Sequence, residues 1–195
     1  SYLGFLLYDC ATREMGVPVA VHGIDRDPAR VDACRARARA LRFDGMTFFA
    51  GDIAVAPLPS DATLLVSLHG CDTATDDALK RAVAAGIPRI EVVPCCQHEV
   101  RGLLVPQPPY GGFLQDGILA VDFAAAFTDH LRATWLRARG YHAEVVEFVP
   151  LEHTPKNRLI RGTAIRGGGT RSSEAENELA RLAAALRSAP SLLRG

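Results

Sequence analysis

No apolar run in this sequence reaches the roughly 18 residues that cross a bilayer. The amino terminus also lacks the basic start and long apolar stretch of a signal peptide. The expectation is a soluble, cytoplasmic protein with no membrane partner. Net charge is missing too: 22 basic residues cancel 22 acidic ones, so no whole-molecule field draws the chain to nucleic acid. Lysine occurs only at 80 and 156, leaving arginine to carry the basic charge. Five cysteines are an odd number and Cys95 and Cys96 are adjacent, which suits reduced thiols better than a disulfide framework. No internal repeat emerges. A Gly-x-Gly-x-x-Gly turn is absent, and with it the signature of an NAD-type oxidoreductase.

What is present is an alternation of short apolar runs and helical stretches, in a chain whose length is that of one domain. Leu64-Leu-Val-Ser-Leu68 and Ile90-Glu-Val-Val93 read as buried parallel strands, each ending abruptly in polar residues. The Ala and Leu spacing of 76–85 predicts a helix between them. A strand, helix and strand joined by a right-handed crossover open their carboxyl ends on one rim, where open α/β sheets bind ligands. His69, Cys71 and Asp72 are therefore expected to face Cys95, Cys96 and His98.

Upstream, residues 1–14 carry apolar positions at helical spacing, 19–25 read as a strand ending in Asp25, and Asp27-Pro28 opens a helix to about residue 42. Arg35, Arg39 and Arg42 share one face of that helix, read as a solvated face. Residues 46–52 are a strand closing on Gly51-Asp52. Downstream, 97–117 read as a long Pro- and Gly-rich loop. Residues 118–139 form the longest helical stretch, with Phe123, Phe127, Leu131, Trp135 and Leu136 as a core stripe. Strands at 143–149 and 157–165, joined by a short link, are expected to pair antiparallel at one edge. Gly167-Gly-Gly169 is a break before a peripheral helix at 174–187, which sets a domain of 1–166 and a tail of 167–195.

The ordered strand ends at Asp25, Gly51-Asp52 and His69, with an antiparallel pair last, resemble the class I S-adenosylmethionine-dependent methyltransferase fold. A sharper resemblance is to the methyltransferase-domain family that includes the C-terminal domain of the glutathione S-transferase C-terminal domain-containing protein. Its stretches are Tyr2-Leu-Gly-Phe-Leu-Leu-Tyr8, His69-Gly-Cys-Asp-Thr-Ala-Thr-Asp76, Pro94-Cys-Cys-Gln-His98, Thr128-Asp-His-Leu-Arg132 and Glu152-His-Thr-Pro-Lys-Asn157.

The resemblance implies a doubly wound Rossmann-like α/β sheet, mostly parallel with an antiparallel edge strand. It implies S-adenosyl-L-methionine as cofactor, with Asp25 on the ribose, Asp52 on the adenine, and Ile53 and Leu68 beside them. His69, Asp72, Cys96 and His98 would line the methyl-transfer pocket, and His153, Lys156 and Asn157 would meet an acceptor. That acceptor is left open among RNA, protein and small molecules, with the neutral charge weighing against RNA.

The family opens with a strand and a Gly-rich loop that precede the segment matching Tyr2. This chain shows neither, so the expected sheet lacks its first strand, with two strand edges exposed, through amino-terminal truncation or a strand supplied by a partner. The rival class is a catalytically silent binding domain. Zinc held by Cys95, Cys96 and His98 with Cys71 or His69 is disfavoured, because adjacent residues on a strand point to opposite faces. Metal ligands are therefore not expected.

Overall fold

The computed structural model describes residues 2–68, 70–154, 156–165 and 172–194. The chain forms two compact units, 1–61 and 62–195.

In the first unit, helix α1 (Tyr2–Asp9) runs on into a π-helical segment, Cys10–Glu14. Strand β1 (Val21–Asp25), helix α2 (Pro28–Leu41) and strand β2 (Met46–Ala50) follow. The Asp27 side chain accepts from the amides of Ala29 and Arg30, and Pro28 pre-sets the first helical φ. Such a cap is worth about 1 kcal/mol. Helix α2 stops at Arg42, whose φ of 56° is left-handed, a turn that tightens the entry to β2.

Strands β1 and β2 pair in parallel, Val21 opposite Met46 through Asp25 opposite Ala50. Phe5, Val31, Ala38, Phe43, Met46 and Phe48 make the core, with the Phe5 and Phe48 rings stacked at 5.8 Å. Gly23 is demanded by this packing, since a Cβ there would lie 2.6 Å from Phe48 Cδ1.

The second unit holds strand β3 (Leu64–Leu68), helix α3 (Thr73–Ala84), strand β4 (Arg89–Val93), helix α4 (His98–Leu103), helix α5 (Gly117–Arg137), strands β5 (Tyr141–Glu147) and β6 (Arg158–Ala164), and helix α6 (Ser173–Ala184). Its sheet order is β3-β4-β6-β5. β3 and β4 are parallel, whereas β6 runs antiparallel to both β4 and β5. The antiparallel member is thus second from the edge, and β5 is outermost. Leu79, Ile90, Val92, Leu131, Leu136 and Ile160 are fully buried between sheet and helices. Among the described residues β1 pairs only with β2 and β3 only with β4, so each keeps one open edge, the two edges the sequence expects to be exposed.

Three local features depart from the sequence reading. The segment read as a loop over 97–117 contains α4 and a 3-10 turn, Gly111–Leu114. The stripe of α5 also differs: Phe123 and Phe127 are only half-buried, with Phe123 under Tyr110 at 5.1 Å and Phe113 at 6.0 Å. In their stead Thr128, Asp129 and Arg132 are buried. The carboxyl-terminal segment turns back onto the unit: α6 buries Ala175 and Leu179, and a 3-10 turn, Ser191–Leu193, buries Leu192. The glycine break at 167–169 lies outside the described residues.

Candidate functional site

At the carboxyl ends of β1 and β2 stand Asp25 and Asp52, their side chains each 40% exposed. Asp25 Oδ1 accepts from the Asp27 amide at 2.9 Å, and among the described residues Oδ2 has only a long contact to Arg30 Nη1 at 3.5 Å. Asp52 Oδ1 accepts from the Ala54 amide at 2.9 Å, and Oδ2 pairs with Arg26 Nη2 at 2.6 Å. The strand register puts both acids on one rim, because Asp25 pairs with Ala50 and the Gly51 amide donates to the Asp25 carbonyl at 2.9 Å. Ile53 follows, half-buried in the turn. Two carboxylates with open lone pairs at a parallel rim suit hydroxyl and amino donors of a bound ligand.

The second unit has its own rim. Leu68, at the end of β3, is 42% exposed and lies opposite Val93 at the end of β4. Past these ends, Cys71 Sγ lies 3.6 Å from Cys95 Sγ, and Cys95 Sγ lies 3.6 Å from Cys96 Sγ. The juxtaposition expected across β3 and β4 is present for these thiols. His69 lies outside the described residues.

Cys95 and Cys96 are not set on opposite faces of a strand, since β4 ends at Val93 and neither residue is in a strand. Asp72 adopts a φ of 50°. Both of its carboxylate oxygens lie 3.2 Å from the Glu99 amide, in the first turn of α4. Asp72 thereby ties the β3–α3 loop to the β4–α4 loop, in the role of a helix cap supplied from 27 residues away. His98 is the exposed first residue of α4.

Burial, then the hydrogen bonds and charges of Cys96 and Cys71, push the Cys95 thiol up to about 12. In the metal-free protein this disfavours the Cys95 thiolate near neutrality. A folded state that holds this proton more tightly than the unfolded chain loses stability as pH rises from about 9 towards 12. Urea unfolding of reduced, chelator-treated protein is expected to show a steeper stability loss over that interval than the Cys95→Ser variant. Equal slopes would show that the thiol titrates as in the unfolded chain.

Behind the rim lies a charged network that sequence reasoning did not assign. Arg132, whose side chain is 1% exposed, donates through Nε to Asp76 Oδ1 at 2.7 Å and through Nη2 to the Asp72 carbonyl at 2.9 Å. Asp76 Oδ2 accepts from Ser191 Oγ at 2.6 Å, and the Ser191 amide donates to Glu99 Oε1 and Oε2 at 2.9 and 3.0 Å. Burial raises the Asp129 carboxyl, while Arg158, Arg132, Gln97 and Lys156 act in the opposite sense. The visible signal was an Asp and an Arg, three residues apart, within an apolar helical stripe.

The acceptor-side expectations fall on the link between β5 and β6. His153 is exposed, and the Lys156 amide donates to Thr154 Oγ1 at 3.1 Å. Asn157 is buried: its Nδ2 donates to the Val149 carbonyl at 3.1 Å and its carbonyl accepts from the Phe148 amide at 3.1 Å. Asn157 thus closes the link from inside. Two grooves occur elsewhere, one of about 270 Å³ between Arg101, Leu104, Leu114 and Arg187, and one of about 400 Å³ between Arg35, Arg39, Phe43 and Phe48. None of the rim residues lines either.

Residues 1–102 match the model of a family described as a methyltransferase domain, just over half of the 195 residues. No match is found among curated proteins. Among solved structures the chain is similar to the CMeT domain of the citrinin polyketide synthase, with 19% identity and a TM-score of 0.45. The alignment covers 78% of this chain and 41% of that one.

Proposed function

Because the chain belongs to the family of methyltransferase domains, we propose that it transfers a methyl group from S-adenosyl-L-methionine to an acceptor, with Asp25 and Asp52 holding the nucleoside. The observation that carries this reading is the pair of open carboxylates at the carboxyl ends of adjacent parallel strands. Their donor needs fit the cofactor: Asp25 Oδ2 has a weak partner and free lone pairs for a ribose diol, and Asp52 can take an adenine amino group beside its arginine. When bound, the cofactor supplies an electrophilic sulfonium methyl.

The chain's own task is positioning and, for a hydroxyl or amine acceptor, taking up a proton. His98, exposed at the start of α4, is the imidazole offered for that step, with His69 of the 69–76 stretch as the other candidate. Asp72 holds the α4 turn that carries His98. Cys96 and Leu68 join them on the rim of the second unit, and Lys156 and His153 are the acceptor contacts of the β5–β6 link. The acceptor class stays open among RNA, protein and small molecules.

A second reading, a methyltransferase-fold binding domain without turnover, is favoured by one observation: Asp52 is already engaged by Arg26 at 2.6 Å. Calorimetric titration of S-adenosylhomocysteine into the polypeptide as its gene encodes it decides between them. Stoichiometric binding supports the cofactor reading. A folded protein that takes up none moves the conclusion to the binding domain.

A further inference from the structure

We propose that Cys71, Cys95 and Cys96 form a trithiolate site for a thiophilic d10 metal ion, zinc(II) or copper(I). The proposal rests on the geometry of the second unit and is independent of the methyl-transfer reading.

The three sulfurs all lie within 4.8 Å of one another. Two of the three separations are 3.6 Å. Tetrahedral zinc with bonds of about 2.3 Å holds its sulfurs about 3.8 Å apart, so two edges are already at ligating distance. The third closes by a movement of about 1 Å, within the reach of a Cys rotamer. A disulfide would need about 2.0 Å and would leave the third thiol over.

An all-sulfur set is wrong for magnesium or calcium, which take oxygen, and right for zinc or copper(I). Small apolar packing does not account for the cluster, since Cys71 is exposed and Cys95 and Cys96 are only half-buried.

The scaffold holds the ligands from outside. Cys71 leaves β3 and Cys95 leaves β4, and those strands are locked in parallel register. The next residue after Cys71 is Asp72, whose carboxylate meets the Glu99 amide and whose carbonyl accepts from buried Arg132. Polar support of this kind sets ligand orientation and affinity. Three protein ligands leave the fourth position of zinc to water or to a ligand from solution, on the side where Cys71 is exposed.

The test begins with protein reduced and stripped of metal, titrated with cobalt(II) as the spectroscopic stand-in for zinc, and separately with copper(I) against a chromogenic chelator. One equivalent of metal is expected. In the cobalt arm it should bring thiolate-to-cobalt charge-transfer absorption and tetrahedral d–d bands that zinc abolishes. Cys71→Ser, Cys95→Ser and Cys96→Ser should each weaken binding by at least about tenfold, as lost ligation must exceed the loss of an outer-shell partner. Cys34→Ser, in the first unit, should leave it unchanged.

Circular dichroism of each variant separates lost ligation from lost fold, and Ala variants stand in for any Ser variant that unfolds. No uptake of either metal by folded protein overturns the proposal. So does uptake that survives all three substitutions, or a reduced protein that in air forms only a Cys71–Cys95 disulfide and takes no metal.

Discussion

Replacing Arg132 with alanine is expected to lower the unfolding free energy of the second unit by about 3–5 kcal/mol, the usual cost of stranding a buried partner charge. Asp76, with a side chain 4% exposed, would keep Ser191 Oγ as a donor on one oxygen and lose its 2.7 Å guanidinium bond on the other. The Asp72 carbonyl would lose its 2.9 Å donor at the same time and keep the Thr75 amide at 3.3 Å. Trp135, the only tryptophan and one turn from Arg132 on α5, reports this unit selectively in urea.

Combining Arg132→Met with Asp76→Leu is expected to recover part of the loss, because the pair removed together leaves no orphan charge. An Arg132→Ala midpoint indistinguishable from the parent would mean that water reaches Asp76 and that the network is not a dry one.

In the polypeptide as encoded, Asp25→Ala is expected to weaken S-adenosylhomocysteine binding by two to four orders of magnitude. Two hydrogen bonds to a charged acceptor are removed, each worth about 1.5–3 kcal/mol. Asp25→Asn should lie between, keeping one acceptor and losing the charge. Calorimetry on all three proteins gives the series directly. The Asp27 amide and Arg30 also use this carboxylate, so the variants are compared at equal helicity, which isolates ligand contact from loosening of α2. Unchanged affinity in Asp25→Ala would remove Asp25 from the nucleoside site.

The strands and most helices were legible because their signals are local. Asp27-Pro28 announces α2 through a cap and a fixed φ, and the apolar runs at 64–68 and 90–93 announce buried parallel strands. Helix α4 was not legible, because its amide partner is Asp72, far upstream, and the intervening sequence reads as turn residues. The thiol cluster was legible as a list of residues and misjudged as geometry, since the alternation rule was applied two residues past the end of β4.

The stretches 128–132 and 69–76 were noticed as motifs. Their physical content is a guanidinium bonding a carboxylate between α5 and α3, a pairing that no single-helix pattern reveals. For Asn157, a motif position suggested ligand contact, whereas the side chain serves its own loop.

The bonds from Ser191 to Asp76 and Glu99 span 115 and 92 residues of sequence. During synthesis, at about 5–20 residues per second, Asp76 has left the ribosome several seconds before its hydroxyl donor exists. Over that interval the second oxygen of Asp76 and the carboxylate of Glu99 must be held by water, and the turn that carries Cys95, Cys96 and His98 lacks its outer brace. The rim of the second unit is therefore braced late, only after the turn at 191–193 has been made.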